Sequence, residues 1–143
     1  MMMSMLVLMG LGITAAKADI DTAITPDRLP KEAQHFLATH FPNEAVSMAK
    51  RERDLWEVRY EVVLANSTKL EFRSNGQWEE VDCRYKEVPV SILPTVLLEA
   101  IQRRYANAKV LEINRDRRDY EVRLNNGLEL TFDLHGNLID IDD

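Results

Sequence analysis

Polar and apolar residues alternate along much of the chain with a period of two. Trp56, Val58, Tyr60 and Val62 share one phase, and Glu57, Arg59 and Glu61 take the other. Leu70 and Phe72 likewise oppose Lys69, Glu71 and Arg73. Farther on, Tyr120, Val122 and Leu124 oppose Glu121 and Arg123, while Leu128, Leu130 and Phe132 oppose Glu129, Thr131 and Asp133. Successive side chains of a strand point to opposite faces, so this pattern predicts antiparallel strands with one apolar and one charged face. The predicted strands lie near 45–52, 55–64, 68–73 and 77–82, then near 109–115, 118–124, 127–132 and 137–142. Ser74-Asn75-Gly76, Asn125-Asn126-Gly127 and His135-Gly136-Asn137 mark turns between them.

Two stretches carry a helical period instead. Pro30 opens the first, where Phe36, Leu37 and Phe41 form a stripe that Pro42 ends. Pro94 opens the second, with Val96, Leu97, Ala100, Ile101 and Tyr105 on one face.

These elements form one pattern written twice. Leu29-Pro30 matches Leu93-Pro94, and the same offset of 64 aligns Asn43 with Asn107, Val46 with Val110, Arg51 with Arg115 and Arg53 with Arg117. It also sets Trp56-Glu57-Val58-Arg59 on Tyr120-Glu121-Val122-Arg123. Four extra residues in the first copy are then placed after Arg59, and an offset of 60 aligns Leu70 with Leu130, Phe72 with Phe132 and Gly76 with Gly136. A half of about 60 residues would bury a marginal core. The expected fold is therefore α+β: two tandem helix-plus-antiparallel-meander repeats forming one extended antiparallel sheet, with both helices on one face.

The amino terminus changes where such a protein would work. Met5 to Ile13 is an apolar run followed by Ala16-Lys17-Ala18, the arrangement of a secretory signal peptide. The run is too short for a permanent anchor, so no membrane span is expected after cleavage. The expected organisation is a signal peptide at 1–18, a flexible segment at 19–28, and repeats at 29–84 and 85–143. Cys83 is the one cysteine. It excludes an internal disulfide framework and is expected to be buried.

Composition narrows the chemistry further. The chain has 143 residues, 45% of them hydrophobic, and a formal net charge of −6. With a pI near 5.1, it has no concentrated basic face for nucleic acid. His35 and His40 are five residues apart on a helix and do not converge as an i, i+4 pair of metal ligands would. No Gly-rich phosphate loop and no nucleophile or zinc motif is present. The carboxylates alternate with Arg and Lys on the wet face, the ordinary use of cross-strand charge pairs. The tail Asp140-Ile141-Asp142-Asp143 lacks the ligand spacing of a calcium loop. Neither catalytic, cofactor nor metal residues are assigned.

Protein contact is a better prospect. Trp56, Tyr60 and Tyr120 fall on the apolar phase and are expected in the core. Trp78, matched with Leu138, falls on the opposite phase if Ile139 and Ile141 face the core. Either it is an exposed contact residue or it caps its own hairpin. The candidate contact set on the sheet face is Trp78, Arg59, Glu57, Arg73, Arg123 and Leu138.

Leu29-Pro30-Lys-Glu-Ala, His40-Phe41-Pro42-Asn43, Tyr60-Glu61-Val62 and Asn75-Gly76-Gln-Trp78 through Cys83 together resemble the PepSY-like family of small secreted Bacteroidetes proteins. Tyr120-Glu-Val, Asn126-Gly127-Leu-Glu-Leu and Asn137 to Asp142 continue the resemblance; Ala106 departs from it, standing where the family's second helix usually ends in Pro. The resemblance implies a fold similar to the β-lactamase inhibitor protein and a non-enzymatic role. That role is binding, as inhibitor or regulator, another exported protein such as a peptidase in the periplasm or outside the cell. The alternative is a small-ligand or cation-binding envelope module using the acidic sheet face. Partner and oligomeric state stay open.

Overall fold

The computed structural model describes residues 20–143, and the expected signal peptide lies outside the described residues. The chain runs through β1 (Ile20–Ala23), a 3₁₀ turn (Pro26–Arg28), α1 (Lys31–His40) and strands β2 (Val46–Arg53), β3 (Val58–Leu64), β4 (Lys69–Arg73) and β5 (Trp78–Asp82). A second 3₁₀ turn (Val90–Ile92) leads to α2 (Thr95–Arg104). There follow β6 (Val110–Arg115), β7 (Asp119–Leu124), β8 (Glu129–Asp133) and β9 (Leu138–Asp142). All nine strands form one antiparallel sheet in chain order. The fold is thus mixed α+β, with two helices and one sheet among the described residues.

Segment 19–28, expected to be flexible, instead supplies β1. Ile20 to Ala23 pair with Arg53 to Lys50 along the edge of β2. The four residues alternate too little to be read as a strand, and the ladder to β2 supplies the order.

The helices start without a side-chain cap, each behind a proline whose extended backbone turns the chain into the first turn. Phe41 and Tyr105 close them, their backbone N–H groups donating to the carbonyls of Leu37 and Ile101. Ala33 and Leu37 of α1, and Leu97, Ala100 and Ile101 of α2, join one core with the inward residues of the strands. Its centre is a row of directly opposed side chains: Val62, Leu70, Val81, Ile113, Val122 and Leu130, each close to fully buried. Cys83 is buried in the same cluster, as expected.

Register decides two assignments that alternation alone misplaced. Glu71 pairs with Glu80, but Phe72 pairs with Trp78, so Glu79 is an unpaired bulge residue; Ile139 repeats this between the Thr131–Asp140 and Phe132–Leu138 pairs. A bulge resets the phase of a strand. Trp78 and Leu138 therefore face the core side, with Trp78 only 7% exposed and Leu138 packed against the cluster. Ile139 is exposed, and Ile141, opposite Leu130, remains partly open on the edge strand.

The second correction concerns Trp56. Arg51 pairs with Tyr60, and Arg115 with Tyr120. Beyond those pairs the β2–β3 hairpin continues through Glu52–Arg59 and Arg53–Val58, which β6–β7 lacks. The four extra residues are thus two added strand pairs. Asp54 and Asp116 then cap similar turns, each accepting two backbone N–H bonds. Trp56 sits in the first turn at 89% exposure, not in the core. Tyr60 and Tyr120 are half-buried against the core.

Candidate functional site

The strand phase opposite the core builds a charged lattice. One row runs directly across the sheet as Lys50, Glu61, Glu71, Glu80, Asn114, Glu121, Thr131 and Asp140. Three glutamates thus stand side by side, an arrangement that costs stability because like charges face each other across neighbouring strands. Lys50 relieves one end, with its Nζ 3.4 Å from Glu61, 3.3 Å from Asp21 and 3.5 Å from Glu52. Lys69 relieves the middle, 3.5 Å from Glu71 and 3.7 Å from Glu80. The relief is incomplete. Burial first, then Glu71 and Glu61, pushes the Glu52 carboxyl above its ordinary range. Burial does the same at Glu80, where Lys69 opposes the shift and Glu71 adds to it.

Four of the six expected contact residues lie in or beside this lattice. Arg59, on the added hairpin pair, reaches Glu57 at 3.0 Å and Glu79 at 2.8 Å. Its Nε meets Glu79 at an angle that makes the contact an ion pair rather than a hydrogen bond. Arg73 binds the other oxygen of Glu79 at 3.0 Å. Arg123 stands apart in the second half, 3.2 Å from Glu112 and 3.3 Å from Asp82. Glu57, Arg59 and Arg73 therefore form one group around Glu79, and Arg123 forms another. Trp78 and Leu138 do not join them, since the bulges turn both inward.

Sequence reading missed Glu79, which ties the first group together, and the pair Leu55-Trp56 at the hairpin tip. Aligning Asp54-Leu-Trp-Glu57 with Asp116-Arg-Arg-Asp119 as turns, rather than Trp56 with Tyr120 as strand residues, would have exposed the tip. It also missed how the acids gather. Glu52, Glu61 and Glu71 bring carboxylate oxygens within 4.8 Å of one another, as do Glu80, Asp82 and Glu112. Such triads supply the hard oxygen ligands that calcium or magnesium takes. Among the described residues no helix is long and apolar enough to cross a membrane.

Comparison with known proteins agrees with this architecture. Residues 58–140 match the family described as beta-lactamase-inhibitor-like, PepSY-like. A Bacteroides vulgatus protein, described as a candidate periplasmic protein of the DUF2874 family, is 46% identical, with a TM-score of 0.84 over 86% of this chain and 97% of its own. A Bacteroides thetaiotaomicron protein, described as a candidate calcium-regulated periplasmic protein, is also 46% identical, with a TM-score of 0.83 over 86% and 97%. A second Bacteroides vulgatus protein, described as a candidate periplasmic protein of unknown function, is 36% identical, with a TM-score of 0.81 over 87% and 99%. No protein of curated function matches. The match over β3 to β9 and the near-complete superposition on periplasmic relatives mean that this chain belongs to the PepSY-like, beta-lactamase-inhibitor-like family.

Proposed function

We propose that the protein is a non-enzymatic, exported binding protein that restrains or regulates another exported protein. The observation that carries this reading is the β2–β3 extension. Its tip presents Leu55 and Trp56 at 72% and 89% exposure, although neither side chain serves the core there. Tryptophan is the residue most often found to anchor a protein interface. The Glu57, Arg59, Arg73 and Glu79 group behind the tip would form the polar rim that surrounds such an anchor. In this reading the two halves are copies of one unit, both helices cover the same face, and the charged face stays free for a partner. Arg123 would extend the contact into the second half. An exported peptidase is the partner class that the family resemblance points to.

The test uses the chain from Asp19 to Asp143 as bait against the envelope fraction of its source, beside Trp56→Ala and Arg59→Glu versions. A retained protein is purified and its affinity measured by calorimetry. Loss of about tenfold or more in both variants is expected, the loss typical of an interface anchor. Equal affinity for all three baits would remove the hairpin from the reading.

The two acidic triads favour a second reading, a cation-binding envelope module. One relative is described as calcium-regulated, and calcium takes clustered carboxylates. A cation bound only by the folded chain must raise its melting temperature. Calcium titration of the chain and of Glu61→Gln and Glu80→Gln variants separates the triads. No stabilisation at millimolar calcium would remove this reading.

A further inference from the structure

The ladder between β5 and β6 has three residue pairs, ending at Glu80–Asn114. Beyond it the two strands part, and a side chain takes over: Arg115 Nε donates to the Trp78 carbonyl at 2.8 Å. The guanidinium lies over the Trp78 ring, 4.1 Å from its centroid. Phe36 of α1 stands 6.4 Å from the same indole and 4.5 Å from the His40 ring. His40 Nδ1 in turn lies 2.9 Å from Ser91 Oγ, just before α2. These groups wall a cleft of about 350 Å³ between α1, the β4–β5 turn and the chain leading to α2. That is the volume of a small-molecule site, and its lining sets Phe36, Trp78 and Ile92 among polar groups that include His35, Gln77 and Arg115.

Arg115 is the uncompensated member. Arg59, Arg73 and Arg123 each meet a carboxylate, whereas among the described residues no carboxylate lies within ion-pair distance of Arg115. Burial is the largest influence on it and holds its pKa below the ordinary arginine value. A half-desolvated guanidinium without a counter-charge is costly to maintain. Its Nε is already occupied and the Tyr120 hydroxyl reaches the guanidinium as well, so an incoming anion must take the edge formed by the two terminal nitrogens in competition with that hydroxyl. That edge offers two parallel N–H groups, the geometry a carboxylate accepts in bidentate fashion. Glu32 supplies the one negative charge among the lining residues, so a monoanion suits the cleft better than a polyanion.

We propose that this cleft binds an organic monocarboxylate with a flat or apolar body. The carboxylate sits on the terminal-nitrogen edge of Arg115, and the body lies against Trp78, Phe36 and Ile92. Two sources carry this chemistry, a free small acid and the carboxyl terminus of a peptide. The site is separate from the β2–β3 extension and from the acidic triads, so its test is independent of theirs.

The chain holds two tryptophans, so Trp56→Phe leaves Trp78 as the sole indole reporter. This variant is titrated with phenylacetate, phenylacetamide, and Ala-Ala-Phe bearing a free or an amidated carboxyl terminus. A saturable fluorescence change is expected with at least one acid, its neutral amide binding about tenfold or more weakly. Whichever acid binds identifies the source. Adding Arg115→Gln should weaken binding by a similar factor with an unchanged far-ultraviolet spectrum. Should that variant fail to fold, the acid-against-amide comparison decides alone. Equal binding of acids and amides overturns the proposal, as does no saturable change with either acid up to about 10 mM, beyond the millimolar range of weak specific sites.

Discussion

Phe72 pairs across the sheet with Trp78, two residues short of Glu80, which faces Glu71. This relationship sends Glu79 to the charged face, where it meets Arg59 at 2.8 Å and Arg73 at 3.0 Å. It also turns the Trp78 indole toward the core, beside Phe36. One inserted residue thus sets an aromatic contact on one side of the sheet and a two-arginine ion pair on the other. The Phe132–Leu138 pair repeats the geometry with Ile139 as the extra residue.

The two tryptophans should therefore differ sharply in what truncation costs. Trp78→Ala empties a nearly buried site in contact with two elements and should cost about 3–5 kcal/mol, the range for a large aromatic in a core. Trp56→Ala removes a side chain that is 89% exposed and should change stability by no more than about 0.5 kcal/mol. Urea unfolding of both variants against the parent chain measures the difference.

The helices, the strands and most of their phases were legible because alternation and proline placement act locally. Val62, Leu70, Val122 and Leu130 declare their burial through their neighbours alone. Trp78 and Leu138 do not, since a bulge is a property of the pairing between two strands and leaves no mark in the strand that carries it. Trp56 misled for a related reason. Its aromatic match to Tyr120 outweighed the turn chemistry of Asp54 and Asp116, and the four added residues were assigned to the wrong place. Strand β1 was hidden because Ile20–Ala23 gains its order from the β2 edge. The grouping around Glu79 was illegible for the same cause, while the charged character of the face was plain.

The turn glycines should rank by what stands above them. A Cβ on Gly76 would lie 2.5 Å from the Glu32 Cβ and 3.0 Å from the Ala33 amide nitrogen, and one on Gly136 would lie 2.9 Å from the Val96 Cβ. Gly127 has a similar φ of +91° with nothing within 4 Å. Gly127→Ala should cost only the left-handed backbone penalty, about 1–2 kcal/mol. Gly76→Ala and Gly136→Ala must also push a helix off the sheet, and each should cost about 1–3 kcal/mol more. Melting temperatures falling equally in all three would show that the helix contacts are slack.

Cys83 should be chemically silent in the folded chain. It is buried in the core cluster, and burial pushes its thiol above the ordinary value of 9.0, so little thiolate exists and little reagent reaches it. Labelling by a thiol reagent should follow the unfolded fraction through a urea titration, and non-reducing gels should show no disulfide-linked dimer. Prompt labelling in buffer would mean that the Thr68–Cys83 region opens locally.

The glutamate row makes a prediction with a definite sign. Burial, opposed by Lys69 and reinforced by Glu71, raises the Glu80 carboxyl above its ordinary value of 4.5. A carboxyl with a raised folded pKa binds its proton more tightly in the folded chain than in the unfolded one. Its cost to stability is absent below the unfolded value and grows as pH rises through the folded value. Glu80→Gln removes that cost, so the variant should exceed the parent above pH 4.5 by a few tenths to about 1 kcal/mol. Below that pH the two should converge. Asp54, Asp116 and Asp133 act in the opposite sense: backbone N–H bonds from Glu57, Arg118 and Asn137 hold them below the ordinary 3.8, giving stability that is lost as pH falls through their folded values. Parent and variant share these three turns, so the difference between their melting curves from pH 3 to pH 8 isolates Glu80. A variant less stable than the parent at neutral pH would mean that the Lys69 ion pair outweighs the glutamate ladder.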